Sequence, residues 1–157
     1  MYVCQINEKN PTDILKKKCM LPDNQFNDKI KELIKKNMVN EDKITLTETG
    51  RDSLRIVLAG GVFDIIHPGH VHTLNAAKLL GDVLVVVVAT DNTAVKMKKR
   101  TPIHSQEQRQ ELVNSLEVVD LSLIGQENDI FKTVNHVKPQ IIALGYDQTH
   151  QEGYITE

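Results

Sequence analysis

Two histidines, His67 and His70, stand three residues apart in the stretch Gly60-Gly61-Val62-Phe63-Asp64-Ile65-Ile66-His67-Pro68-Gly69-His70. An imidazole donates hydrogen bonds and, when protonated, carries positive charge. Two of them at this spacing, at a helix entrance, can face the same anion. The glycines ahead of them let the backbone approach that anion, and the free amides and dipole of a helix start favour negative charge. The chemistry indicated is the handling of a polyphosphate. The pair could instead cap or solvate the turn as ordinary helix-start residues. A zinc site using His72 as well is a further alternative, but the cysteines are distant and no obvious fourth ligand follows. His72 should also turn to a different face from His70.

Such a pair needs a strand and a helix to hold it. Arg55-Ile56-Val57-Leu58-Ala59 has the pattern of a short buried strand, and Val71 to Leu80 reads as a helix that Gly81 ends. Val83-Leu84-Val85-Val86-Val87-Val88-Ala89 is unbroken and β-branched, which indicates a strand buried on both faces. Ser105-Gln106-Glu107-Gln108 has capping-box spacing and opens a helix through Leu112, Val113 and Leu116. Val118 to Ile124 reads as a third strand, Asp129 to Val137 as a helix closed by Pro139, and Gln140 to Gly145 as a fourth strand. Strands separated by helices predict a parallel sheet with right-handed crossovers, whose ligands bind at the carboxyl ends of the strands. Gly60, Gly61, Val62, Phe63 and Asp64 follow strand one, Thr90 and Asp91 follow strand two, and Tyr146, Asp147 and Gln148 follow strand four after Gly145. Three strand ends are thus expected to converge on one cleft. Asp64 could orient the turn or a nucleotide, and Asp91 suits a ribose or a metal-bound water. The basic run Lys96-Met97-Lys98-Lys99-Arg100 is either a solvated loop or one that closes over phosphates.

Composition sets the bounds. The chain has 157 residues, 40% of them apolar and 25% charged, as in a globular protein of one domain plus a small appendage. Aromatic residues make up 4% and Trp is missing, so the core is expected to be aliphatic. A formal charge of −2 gives no global reason to expect nucleic acid. Cys4 and Cys19 form no C-x-x-C pair, which argues against a structural zinc site and a disulfide framework and makes a reducing cytoplasm the expected location. Met1 to Glu8 lacks the pattern of a signal peptide, and the longest apolar run, Val83 to Ala89, is too short to span a membrane.

Residues 1–52 differ in character, being rich in Lys and Asn. Pro22-Asp23 can start a helix with Phe26, Ile30, Leu33, Ile34 and Met38 on one face and Lys29, Lys31, Lys35 and Lys36 mainly on the others. Ile44 and Leu46 alternate as a short strand would, and Thr47 to Arg51 can open another helical turn. Leu46-Thr47-x-x-Gly50-Arg51 resembles the end of a winged-helix domain. With Lys16-Lys17-Lys18, this admits a DNA-binding module, yet charge runs are usually solvent faces. The expectation is therefore a small helical, winged-helix-like appendage that packs and does not bind DNA.

His67-Pro68-Gly69-His70 resembles the His-x-Gly-His signature of the cytidylyltransferase-like nucleotidyltransferases, and Gly61-Val62-Phe63-Asp64 resembles the Gly-Thr-Phe-Asp turn before it, with Val62 in place of Thr. The resemblance covers roughly residues 55 to 150. It implies an α/β, Rossmann-like parallel sheet of the nucleotidyltransferase fold over residues 53–157. It further implies that His67, His70 and Lys98 act on the triphosphate, while Gly69, Arg100 and Arg109 lie in the nucleotide site; Arg109 could instead be a surface residue paired with Glu107 or Glu111. Leu144-Gly145-Tyr146-Asp147-Gln148 resembles the Leu-Gly-Pro-Asp-Gln stretch of the archaeal type of FAD synthase, with Tyr146 replacing Pro. The implied reaction is transfer of AMP from ATP to FMN, with Mg²⁺ carried on the triphosphate. Sibling readings are CTP with glycerol-3-phosphate and a sugar-phosphate adenylyltransferase of the lipopolysaccharide-core type; a nucleotide-sensing regulator is the reading from another class. The family usually continues with a further helix that completes the triphosphate site, so this chain is expected to be short at that end. A homodimer is expected by the same resemblance.

Overall fold

The computed structural model describes residues 1–7, 11–41, 45–127 and 130–145. Ile44, Asp129, Tyr146, Asp147 and Gln148 lie outside the described residues. The chain divides into two units, Met1–Leu54 and Arg55–Glu157.

The first unit contains α1 (Tyr2–Ile6), α2 (Pro11–Cys19), α3 (Asp23–Lys35) and α4 (Glu48–Asp52). Val39 and Leu46 form an isolated antiparallel bridge between α3 and α4. Phe26 is buried on α3, as its periodicity requires, and Tyr2, Cys4 and Val39 are buried with it in the unit. Thr47 caps α4, its side chain accepting from the Gly50 amide. Helices α1 and α2 carry little apolar periodicity and were not legible in the sequence.

The second unit is built on β1 (Ile56–Gly61), β2 (Val83–Val88), β3 (Leu121–Ile124) and β4 (Ile141–Ala143), all parallel, in the order β3-β2-β1-β4. Among the described residues four helices accompany it: α5 (Pro68–Lys78), α6 (Asp91–Lys98), α7 (Gln106–Asn114) and α8 (Ile130–Val137). Its core is aliphatic apart from Phe63: Val57, Ala59, Leu74, Ala77, Leu84, Val86, Val88, Val113 and Val119. The elements differ from the sequence reading in several places; β1 runs on to Gly61 and β4 ends at Ala143. Helix α5 starts earlier, at Pro68, because a proline suits the first turn, where its missing N–H has no partner to lose. Strand β3 starts later, because Val119 donates back to the Leu116 carbonyl in a turn that closes α7. The basic run is no loop: Lys96 and Lys98 lie on α6, whose start is capped by Thr90 and whose end is the left-handed Lys99.

The two ends of the sheet are treated differently. At the amino ends, side chains cap the strands: Asp82 accepts from the Arg55 amide at 2.8 Å, Gln140 from Ile56 at 2.8 Å and Asp120 from Leu84 at 2.7 Å. Asp120 also pairs with Lys78 of α5. The carboxyl ends carry glycines and an open cleft. Strand order reverses between β1 and β4, which is where ligands of open parallel sheets bind. Asp120→Ala should therefore lower unfolding free energy by about 1–3 kcal/mol through the orphaned Leu84 amide. A denaturant titration would show this as a lower midpoint, with nucleotide affinity unchanged because the cleft is at the other end.

Candidate active site

Strand β1 runs into a backbone turn that most residues avoid. Phe63 has φ 52, in the left-handed region, which for a bulky side chain costs on the order of 1–3 kcal/mol. Its ring is buried, and a Cβ on Gly61 would lie 2.8 Å from it, so glycine is required there by close approach. The same ring packs at 5.1 Å from that of His70. His67 is the N-cap of α5 in extended conformation, and its ring stacks on His70 at 3.9 Å. Gly69 leaves room for that stack: a Cβ there would be 3.0 Å from the His67 ring.

Both flanks of Phe63 are held. On one side Arg109, fully buried, donates to the carbonyls of Val62 at 2.6 Å, Ala89 at 2.8 Å and His104 at 3.1 Å, and to the Asp91 carboxylate at 2.7 Å. On the other side the Asp64 carboxylate accepts from Arg100 at 2.8 Å and from the amides of Ile103 at 2.7 Å and His104 at 3.2 Å. The segment after α6 is thereby pinned to the glycine turn, and α7, begun by the Ser105–Gln108 capping box, delivers Arg109 beneath it.

A cleft of about 550 Å³ opens above this turn. It brings together Gly60, Gly61, Val62, Phe63, Asp64, His67, Gly69, His70, Lys98, Arg100 and Gly145. A smaller apolar recess of about 160 Å³ adjoins it, sharing Ala59, Gly60, Gly61, Met97 and Ala143 and continuing to Val87, Thr90, Thr93 and Leu144. Thr90 thus faces the recess while its hydroxyl accepts from the Thr93 amide. Two residues expected at the nucleotide lie apart from both cavities. Arg109 lines neither cavity, and it is no surface partner of Glu107 or Glu111; it is a buried tie between strand ends. Asp91 likewise lines neither and is held by Arg109. Tyr146 and Asp147 lie outside the described residues. Gly125 and Gln126, at the end of β3, line the recess and were missed, although the strand-end rule that selected Thr90 reaches them too. Met97, on the wall of both cavities, gave no sequence signal.

His72 does not line the cleft; it lies on a neighbouring groove with Val71 and Asn75, which His67 also borders. Among the described residues no cluster of three His, Cys, Asp or Glu could hold a metal ion. None of their helices is long and apolar enough to cross a membrane.

Burial by itself raises the pKa of Asp64, but the Arg100 hydrogen bond and the amides of His104 and Ile103 outweigh it and hold the carboxyl below its usual range. Such a group binds fewer protons folded than unfolded, so its contribution is full above the unfolded value of about 4 and is lost as pH falls through the lower folded value. Asp64→Asn should therefore be less stable than the parent at pH 7 and should lose less of its remaining stability on acidification. Urea midpoints measured across that range would check both.

A model of the cytidylyltransferase-like family matches residues 58–154. The FAD synthase of Picrophilus torridus is 52% identical over 99 residues, covering 63% of this chain and 70% of the relative. That of Methanosarcina barkeri is 51% identical over 92 residues, covering 59% and 65%. The crystal structure of the lipopolysaccharide core biosynthesis protein from Thermoplasma volcanium superposes with a TM-score of 0.61 at 49% identity, covering 65% of this chain and 83% of that one. The chain spans about two thirds of the length of the curated relatives it matches. With the family model lying on the parallel sheet and its glycine turn, the chain belongs to the cytidylyltransferase-like family.

Proposed function

We propose that residues 53–157 form a nucleotidyltransferase domain that moves AMP from ATP to FMN, giving FAD and pyrophosphate. The observation that carries this reading is the joining of two cavities at the switch point. One is polar and lined by His67, His70, Lys98 and Arg100; the other is apolar. The first suits a triphosphate. The second suits a planar apolar ring system better than it suits glycerol-3-phosphate or a sugar phosphate, whose hydroxyls would be left without partners there. The FAD synthase relatives support the same acceptor.

In the reaction a phosphate oxygen of FMN attacks the α-phosphorus of ATP, and the bond from that phosphorus to the bridging oxygen of pyrophosphate breaks. No protein nucleophile is needed; positioning and charge stabilisation carry the step. The stacked imidazoles at the start of α5 donate to the non-bridging oxygens around the crowded phosphorus, assisted by the helix amides. Lys98, at the end of α6, and Arg100, beside it, supply positive charge to the leaving pyrophosphate. Mg²⁺ borne on the triphosphate would supply charge neutralisation at its phosphate oxygens. Asp64 is already engaged by Arg100 and two amides, so the cleft fits an ion borne by phosphates and water better than one in a protein cage. A homodimer, which the family resemblance implies and sedimentation tests, belongs to the same proposal, as does the reducing cytoplasm that the two lone cysteines suggest.

Pyrophosphate release should be seen with ATP and FMN, and His70→Ala should reduce it about a hundredfold or more, as for loss of one transition-state donor. Turnover with CTP and glycerol-3-phosphate in place of ATP and FMN would keep the chemistry and overturn the substrates. ATP binding without turnover with any acceptor would favour the nucleotide-sensing regulator.

A further inference from the structure

The N-terminal unit carries a feature that nucleotidyl transfer does not use. Helices α2 and α3 are separated by Met20, Leu21 and Pro22, and Met20 has φ 49, the left-handed conformation that lets a chain reverse within three residues. Lys16 of α2 pairs with Asp23 at 2.9 Å, and its ammonium lies 5.8 Å from the centre of the buried Phe26 ring, tying the helices together. Two helices joined by a three-residue turn have the element order of a helix-turn-helix, whose second member enters a DNA groove in proteins that read DNA. After α3 the Val39–Leu46 bridge and the Asn40-to-Thr45 backbone hydrogen bond at 2.7 Å close a hairpin.

The free side of α3 has fitting chemistry. Asn24, Asn27, Asp28, Lys31 and Lys35 are exposed and recur at helical spacing on one side. Asn carries the paired donor and acceptor that match an adenine edge. Glu32 is neutralised by Lys36 and Lys29, which hold its pKa down at about 2. Residues 11–36 contain seven lysines against four acids, a net of +3 in a chain whose total is −2. Lys17 and Lys18, at the end of α2, are exposed as well. The sequence reading favoured a packing appendage because charge runs are usually solvent faces; helix α2, which it did not find, precedes α3 across a short turn.

We infer that the N-terminal unit binds double-stranded DNA, with α3 in the major groove and Lys17, Lys18, Lys31 and Lys35 on the phosphates. The major groove of B-form DNA is about 12 Å wide and admits a helix, whereas that of A-form RNA is too narrow. This inference is independent of the reaction assigned to the other unit.

The test is fluorescence anisotropy of the full chain with a labelled DNA duplex of about two helical turns and with an RNA duplex of the same sequence. Four phosphate contacts predict that DNA affinity falls about a hundredfold between roughly 50 and 200 mM salt. Lys31→Glu with Lys35→Glu should weaken binding at least about tenfold. Both sites are exposed, and an unchanged circular dichroism spectrum would show the fold intact. Three results would each overturn the inference: no binding at about 50 mM salt with about 100 µM protein, equal affinity in the folded double variant, or RNA bound as tightly as DNA.

Discussion

A guanidinium can be fully buried only when its donors are met, because an unpaired charge in the interior is too costly to keep. Arg109 meets this condition with three backbone carbonyls and one carboxylate, drawn from the glycine turn, the end of β2, the start of α6 and the segment before α7. Three stretches of chain, at Val62, at Ala89 to Asp91 and at His104, are thus held at one point. Phe63, in its unfavourable left-handed conformation, lies between the carbonyl that Arg109 holds and the Asp64 carboxylate that Arg100 and two amides hold. The strain is maintained from both sides, and its product is the packing of the Phe63 ring against His70, which carries the His67 stack.

The sheet gives this arrangement its direction. Side chains of Asp82, Gln140 and Asp120 accept from amides at the starts of β1 and β2, which closes the amino ends of the two central strands. The carboxyl ends stop in small residues and leave their space to a ligand. Binding and stability are therefore assigned to opposite edges of the same four strands.

Much of this was legible in the sequence because its causes are local. A β-branched run makes β2, a capping box makes the start of α7, and the glycine-rich turn before His67-Pro68-Gly69-His70 marks the mouth of the cleft. The role of Arg109 was not, because its partners at Val62, Ala89 and Asp91 lie 47, 20 and 18 residues away. In the sequence it has only Glu107 and Glu111 as neighbours, and both suggest a surface ion pair. Helix α6 was hidden by its lysines, which read as a loop until the Thr90 cap is seen in place. The apolar recess was illegible for a similar reason: Met97, Thr93 and Leu144 acquire a shared purpose only when α6 is set against β1 and β4.

The central claim is that Arg109 builds the nucleotide site without touching the nucleotide. A crystal structure with a non-hydrolysable ATP analogue tests it most directly. The account predicts the triphosphate against His67, His70 and Lys98, with Phe63 still left-handed and Arg109 still bonded to Val62, Ala89 and Asp91. An Arg109 guanidinium turned into the cleft and bonded to a phosphate would contradict it.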